Sequence, residues 1–159
     1  MYIRQTDLFW GLNQNVVNRV MAIAEREAFA EGEILFRSGD AARYLFILAQ
    51  GEVKITIAET GTQVYTGSRV GEAFGWSSLI DRSQYGGDAI CATPVVVLKL
   101  DRDRLLRLLD GDVESGYLFL KHLSRALGGR LMGAYQQMAV AHTDRFGNET
   151  FNGGNHGQH

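Results

Sequence analysis

GEAFGWSSLIDRSQYGGDAICA, running from Gly71 to Ala92, is the stretch that decides how this chain is read. Two glycines, Gly71 and Gly75, bound a tight turn, WSSL has the length of a short helix start, and AICA returns as a strand. A turn that opens into a helix start presents backbone N–H groups outward, and these suit an oxyanion such as a phosphate. The candidate ligand-binding residues are therefore Gly71, Glu72, Ala73, Phe74 and Gly75 in the turn and Trp76, Ser77 and Ser78 after it. Arg82, Gly86 and Gly87 join them on the way back. No catalytic residue and no metal ligand is among them.

Before this stretch the chain reads as strands. The runs ILF, YLFIL, VKITI and QVYTG precede it, AICA closes it and VVVLKL follows, with Gly32, Gly39, Gly51, Gly61, Gly67 and Gly71 as punctuation. Short apolar or alternating runs separated by glycines predict an antiparallel sandwich or barrel, since tight hairpins need backbone angles that glycine adopts freely. Thr60 and Gly61, between VKITI and TQVYT, mark the clearest hairpin tip. Ahead of the strands, Asp7 precedes LFWGL, and Val16, Val17, Val20, Met21, Ile23 and Ala24 are spaced as the apolar face of a helix over Asn15–Glu27.

Beyond Leu100 the spacing is helical again. Asp101 caps RDRLLRLLD and Gly111 stops it. A second helix is predicted from Val113 to Met138, with Leu120, Leu123, Leu127, Leu131, Ala134 and Met138 at steps of three or four as one apolar seam, which either meets a second copy of the chain or covers the barrel with Leu120, Leu123 and Leu127 and leaves only Leu131 to Met138 for a partner. Such a helix extends roughly 40 Å, longer than the cover of a small barrel needs. Gly128 and Gly129 make a bend or a close helix approach the expectation there. Residues 1–140 form the domain on this reading, and 141–159, polar and rich in Gly and Asn, a flexible tail.

Composition narrows the function classes. The chain has 159 residues, 45% of them hydrophobic, enough for one packed core. With 16 basic against 18 acidic residues the net charge is −2, so no global field draws it to nucleic acid or to an anionic membrane. The longest charge-poor apolar stretch, Ala92–Leu100, is far short of the roughly 20 residues that span a bilayer. The N-terminus lacks the pattern of a secretion signal, and a cytoplasmic location is the expectation. Cys91 is the only cysteine, which excludes an internal disulfide and a cysteine-ligated metal. All four histidines, His122, His142, His156 and His159, lie in the C-terminal helix or tail, so no predicted strand carries one as a metal ligand or base.

The order of these elements resembles the cyclic-nucleotide-binding domain family, in its catabolite-activator type. GEILFRSGD with YLFILAQGEVKI, then GEAFGWSSL, then VVVLKLDRDRLLRLL carry the resemblance, with Gly51 and Val53 at typical positions, over Asp7 to Met138. It implies a mainly β fold with flanking α: a double-stranded β-helix (jelly-roll) barrel with short N-terminal helices and a long C-terminal helix. It also implies a phosphate held by turn amides and an Arg, and a ribose held by a Glu. Here the Glu position carries Trp76, and the Arg with its following Ser or Thr falls on Gly86 and Gly87 or on Gln84 and Tyr85, so neither register supplies a cation. Arg82 is left to reach in from another register, offset by Asp81 and Asp88.

The resulting expectation is a non-catalytic regulatory domain with a degenerate cassette. It binds an atypical small anion or none, needs no cofactor, and dimerises through its long helix. About twenty residues follow Met138, with one Arg and no Lys, so the DNA-reading module of many family members is not expected. Two readings of Trp76 stay open: an indole that receives a planar ligand, or a ring that fills the vacated pocket. The second makes the chain a structural module for an unknown protein partner. A genuine cyclic AMP or cyclic GMP binder through a shifted register, and a metal-dependent barrel enzyme, complete the alternatives.

Overall fold

The computed structural model describes residues 6–57 and 60–147, which divide between Leu123 and Ser124 into two compact units. In chain order the described elements are α1 (Gln14–Ile23), β1 (Glu25–Phe29), β2 (Ile34–Phe36), β3 (Tyr44–Gln50), β4 (Val53–Ile57), β5 (Thr62–Gly67) and β6 (Ala73–Phe74). A 3-10 turn (Trp76–Leu79), β7 (Asp88–Cys91), β8 (Val95–Asp101), α2 (Arg102–Asp110) and α3 (Val113–Gly147) follow.

The strands form two four-stranded antiparallel sheets, β1-β8-β3-β6 and β2-β7-β4-β5. The glycine-punctuated strands predict an antiparallel sandwich or barrel, and this is the jelly-roll barrel with flanking helices that the resemblance implies. Period-two alternation decides what each strand buries. In β3, Phe46 and Leu48 belong to the barrel core with Phe36, Val53, Phe74, Ala89, Cys91, Val95 and Val97. The alternate residues Leu45 and Ile47, with Leu98 and Leu100 opposite them, are buried as well, outside that cluster. A strand apolar on both faces needs a second cover, and α1 and α2 supply it by packing against β8. Each such leucine or isoleucine contributes about 1.5–3 kcal/mol by leaving water.

The N-terminal reading is corrected at the end of the first helix. Asn13 caps α1 through the N–H of Asn15 (2.9 Å), and Asp7 pairs with Arg69. The helix ends at Ile23, and EREAF, expected to be partly helical, is strand β1. The reason is tertiary: β1 pairs with β8 along its whole length, and Lys99 of β8 reaches Glu27 at 3.0 Å and Glu25 at 3.6 Å. Short segments of mixed period take the structure that a neighbouring edge offers.

The C-terminal helices keep their predicted starts. Asp101 caps α2 through the N–H of Arg104 (2.9 Å), and Gly111 is its C-cap. Helix α3, however, passes Met138 and position 141 and runs to Gly147, so 141–147 are helix and not tail; Ala139 and Ala141 favour this and no proline interrupts it. Gly128 and Gly129 lie inside it, and a Cβ on either would meet nothing within 4 Å, so the expected close approach has no counterpart among the described residues. The rest of the predicted tail, 148–159, lies outside the described residues.

The predicted seam also divides. Leu123 is 5% exposed and belongs to the core of the first unit, whereas Leu120 is 56% exposed on another face of the helix. Leu127 is half-buried, and Leu131, Ala134 and Met138 are exposed. Leu123 therefore drops out of a partner-facing surface. No helix among the described residues is long and apolar enough to cross a membrane.

Candidate functional site

The cassette turn is fastened to β3 by main-chain bonds. The N–H of Gly71 donates to Leu48 O (2.8 Å), the N–H of Leu48 donates to Glu72 O (2.9 Å), and Ala73 and Phe74 then pair with Ile47 and Phe46 as β6. Glu72 closes its own bend: its carboxylate accepts from the N–H of Arg69 (3.3 Å), and its N–H donates to Arg69 O (3.0 Å).

Gly75 starts the 3-10 turn in the left-handed region, φ 72°, and a Cβ there would stand 3.0 Å from the Phe46 ring and 3.1 Å from Tyr44 O. Both conformation and space demand glycine at this point. The N–H (3.2 Å) and the hydroxyl (2.9 Å) of Ser78 both donate to Gly75 O, so one of the two hydroxyls expected to meet a ligand is committed to holding the turn shut. Ser77 and Trp76 are half-buried, and neither side chain has a hydrogen-bond partner among the described residues. Trp76 also makes no ring contact there.

After the turn Asp81 adopts φ 56°, a left-handed conformation that aspartate tolerates better than most residues, and the chain doubles back. Residues 83–85 are then strapped to 39–42. Ala42 N–H donates to Ser83 O (2.9 Å), Tyr85 N–H to Asp40 O (3.0 Å), and Gly39 N–H to Tyr85 O (3.0 Å), while Gln84 bridges Ala41.

This resolves the register that the sequence left open. Gln84 is at the bridge, Tyr85 turns into the barrel, Gly86 is exposed and Gly87 is buried against β4, where a Cβ would stand 2.5 Å from Thr56 O. No cation comes from any of the four. Arg82 does approach the site: its Nη1 lies 3.9 Å from the position a Cβ on Gly86 would take. Arg82 has no ion pair or hydrogen bond among the described residues. Asp88 is tied elsewhere, its Oδ1 accepting from the N–H of Ser38 (2.7 Å).

Tyr85 is the residue that sequence reasoning missed. Its ring lies 3.9 Å from that of Phe36 at an interplanar angle of 19°, and the Phe46 and Phe74 rings stack at 5.4 Å and 10° beside Phe36. Its hydroxyl donates to Tyr44 O (2.7 Å) and accepts from the N–H of Tyr44 (3.1 Å). Burial pushes the phenol up to about 12, with the Tyr44 bond partly offsetting it and nearby Tyr44 and Asp40 adding to it, so the group is neutral at ordinary pH. The ring that fills the barrel interior at this level is therefore Tyr85, not Trp76. The signal was present: Tyr85, Gly87, Ala89 and Cys91 are in phase, so a strand burying Ala89 and Cys91 buries Tyr85 too.

Other polar groups of the fold serve structure. Lys99 lies 4.8 Å over the Tyr44 ring, and its hydrogen bond to Glu27 raises its pKa. His122 is buried, with Nδ1 3.2 Å from Leu8 O. Among the described residues no group of three or more His, Cys, Asp or Glu is placed to hold a metal ion.

A family profile described as "Cyclic nucleotide-binding domain" matches residues 26–112, more than half of the chain. The cGMP-dependent protein kinase, isozyme 1, of Drosophila melanogaster is 31% identical over 70% of this chain and 15% of its own length. The cyclic AMP receptor protein of Thermus thermophilus is 28% identical over 67% of this chain and 50% of its own. The chain thus spans at most half the length of these two relatives. Among solved structures, a cyclic nucleotide-binding domain from Methylobacillus flagellatus superimposes with a TM-score of 0.74 at 22% identity, covering 88% of this chain and 80% of that one, which is a likeness of fold.

Proposed function

Because the chain belongs to the cyclic nucleotide-binding domain family, we propose that it is a non-catalytic regulatory domain whose cassette takes a small anionic ligand other than ordinary cyclic AMP or cyclic GMP. One observation carries this reading. Among the described residues the one unpaired cation beside the glycine pair is Arg82, whose guanidinium approaches Gly86 from four residues upstream, while Trp76 heads the turn where a ribose would need a carboxylate. A guanidinium favours an oxyanion, and an indole offers a flat apolar face without a strong acceptor for a sugar hydroxyl.

Calorimetric titration of the chain with cyclic AMP and cyclic GMP tests the reading. The expected result is no binding in the micromolar range, and micromolar binding of either would overturn the altered cassette. In a companion pair of variants, Arg82→Gly removes the cation. Adding Gly86→Arg then returns it to residue 86, where a Cβ meets nothing nearer than Arg82 Nη1 at 3.9 Å.

A second reading is favoured by Tyr85. With Phe36, Phe46 and Phe74 it packs the barrel interior, as a structural interaction module with a closed pocket requires. Failure of any anion to bind the cassette would select it. On either reading the chain forms a homodimer through α3. Supporting this, Leu131, Met132, Tyr135, Met138 and Val140 are all exposed large apolar residues on that helix. Light scattering on the Leu131→Glu, Met138→Glu double variant should report monomers, and an unchanged mass would refute this surface. A cytoplasmic setting completes the proposal.

A further inference from the structure

Beside Ser83 of the cassette loop, a cavity of about 360 Å³ opens between the segment before β3 and the junction of β8 with α2. Its size lies at the small end of the roughly 300–1,000 Å³ range of ligand sites. The walls are cross-tied by main-chain bonds: Ala42 N–H to Ser83 O at 2.9 Å, and Arg102 N–H to Arg43 O at 2.8 Å. The side chains that line it therefore project from a fixed frame.

The donors and acceptors in this cavity are not balanced. Arg43 and Ser83 have no side-chain partner among the described residues, and Arg102 commits only its Nε, to Asp103 at 3.0 Å. Each carboxylate is engaged through its Oδ1, Asp101 by the N–H of Arg104 (2.9 Å) and Asp103 by Arg102. Besides the second oxygen of each carboxylate, what remains open is a set of donors: the guanidinium of Arg43, the outer nitrogens of Arg102 and the hydroxyl of Ser83. Two planar forks and a hydroxyl match a tetrahedral oxyanion with several acceptor oxygens. The engaged carboxylates bring the lining to zero net charge, which gives no extended positive field to a polyanion such as nucleic acid and confines recognition to one compact group.

We propose that this cavity is a second ligand site, separate from the cassette turn, that binds the phosphate of a small phosphate monoester through Arg43, Arg102 and Ser83. The assignment does not depend on what the cassette turn takes. Because Ser83 belongs to the cassette loop and Arg102 opens α2, an occupant ties that loop to the helix that follows the barrel.

The test is a titration of the isotope-labelled chain with inorganic phosphate, followed by amide ¹H–¹⁵N spectra at ionic strength held constant with chloride. Saturable shifts at Arg43, Ser83 and Arg102 are expected. Arg43→Gln should weaken binding at least about tenfold, and Arg43→Lys, which keeps the charge but loses the fork, less so. Arg43 is exposed, and preserved dispersion of the variant's spectrum verifies its fold. Shifts that do not saturate, undiminished binding by Arg43→Gln, or shifts confined to residues 75–78 would each overturn the assignment, the last by placing the phosphate at the cassette turn instead.

Discussion

Replacing Tyr85 with Phe removes one oxygen and keeps the ring stacked on Phe36. The lost hydroxyl donates to Tyr44 O at 2.7 Å and accepts from Tyr44 N–H at 3.1 Å, so two main-chain groups at the start of β3 lose their side-chain partner. Leaving buried or half-buried groups unsatisfied costs about 1–3 kcal/mol, and retention of the ring keeps the cavity contribution small. For a chain of this length that corresponds to a fall in Tm of roughly 2–12 °C. Urea unfolding should show a lower midpoint at an unchanged slope. The phenol ionises near 10 in the unfolded chain but only near 12 in the fold. Between these values the unfolded state releases its proton first and is favoured, so the contribution is complete below pH 10 and lost as pH rises through 12. The wild-type minus Tyr85→Phe stability difference should therefore shrink across that window. A Tyr85→Phe protein as stable as the wild type at pH 7, or a difference that does not change between pH 10 and 12, would show that Tyr85 does not anchor the loop as described.

Two further outcomes follow from packing. Gly87→Ala places a Cβ 2.5 Å from Thr56 O and should destabilise by about 1–3 kcal/mol, whereas Gly86→Ala, facing only Arg82 Nη1 at 3.9 Å, should stay within roughly 0.5 kcal/mol of the parent; equal effects in urea unfolding would contradict the assigned register. The Cys91 thiol is buried and pushed up to about 11, first by burial and then by Glu33, so the native protein should react slowly with a disulfide reagent at pH 8 and promptly once unfolded. Prompt reaction of the folded chain would place the thiol at the surface.

Much of the fold was legible because its signals are local. Glycine-punctuated runs of period two could pair only with neighbours of the same kind, and the Asp101 cap with the Gly111 stop marks α2 within a dozen residues. The cassette turn was readable for the same reason, since a left-handed Gly75 and a closing Ser78 act within one turn of backbone. The family resemblance rested on the order of these pieces, and the profile over 26–112 agrees with it.

What lay beyond the sequence was decided between segments far apart in the chain. EREAF became a strand because β8 offered it an edge, and Lys99 holds it from 72 residues away. Leu120 and Leu123 share a helical spacing, but only packing against the first unit's core could bury one and leave the other in water. Tyr85 turned inward because Phe36 and the backbone of Tyr44 receive it, and Arg82 came to lie beside Gly86 because strapping to 39–42 folded the loop back on itself. Local propensity and pattern determine which elements form, since their free energies arise within a few residues. Which side chains meet at the cassette depends on contacts that exist only once the two sheets have closed.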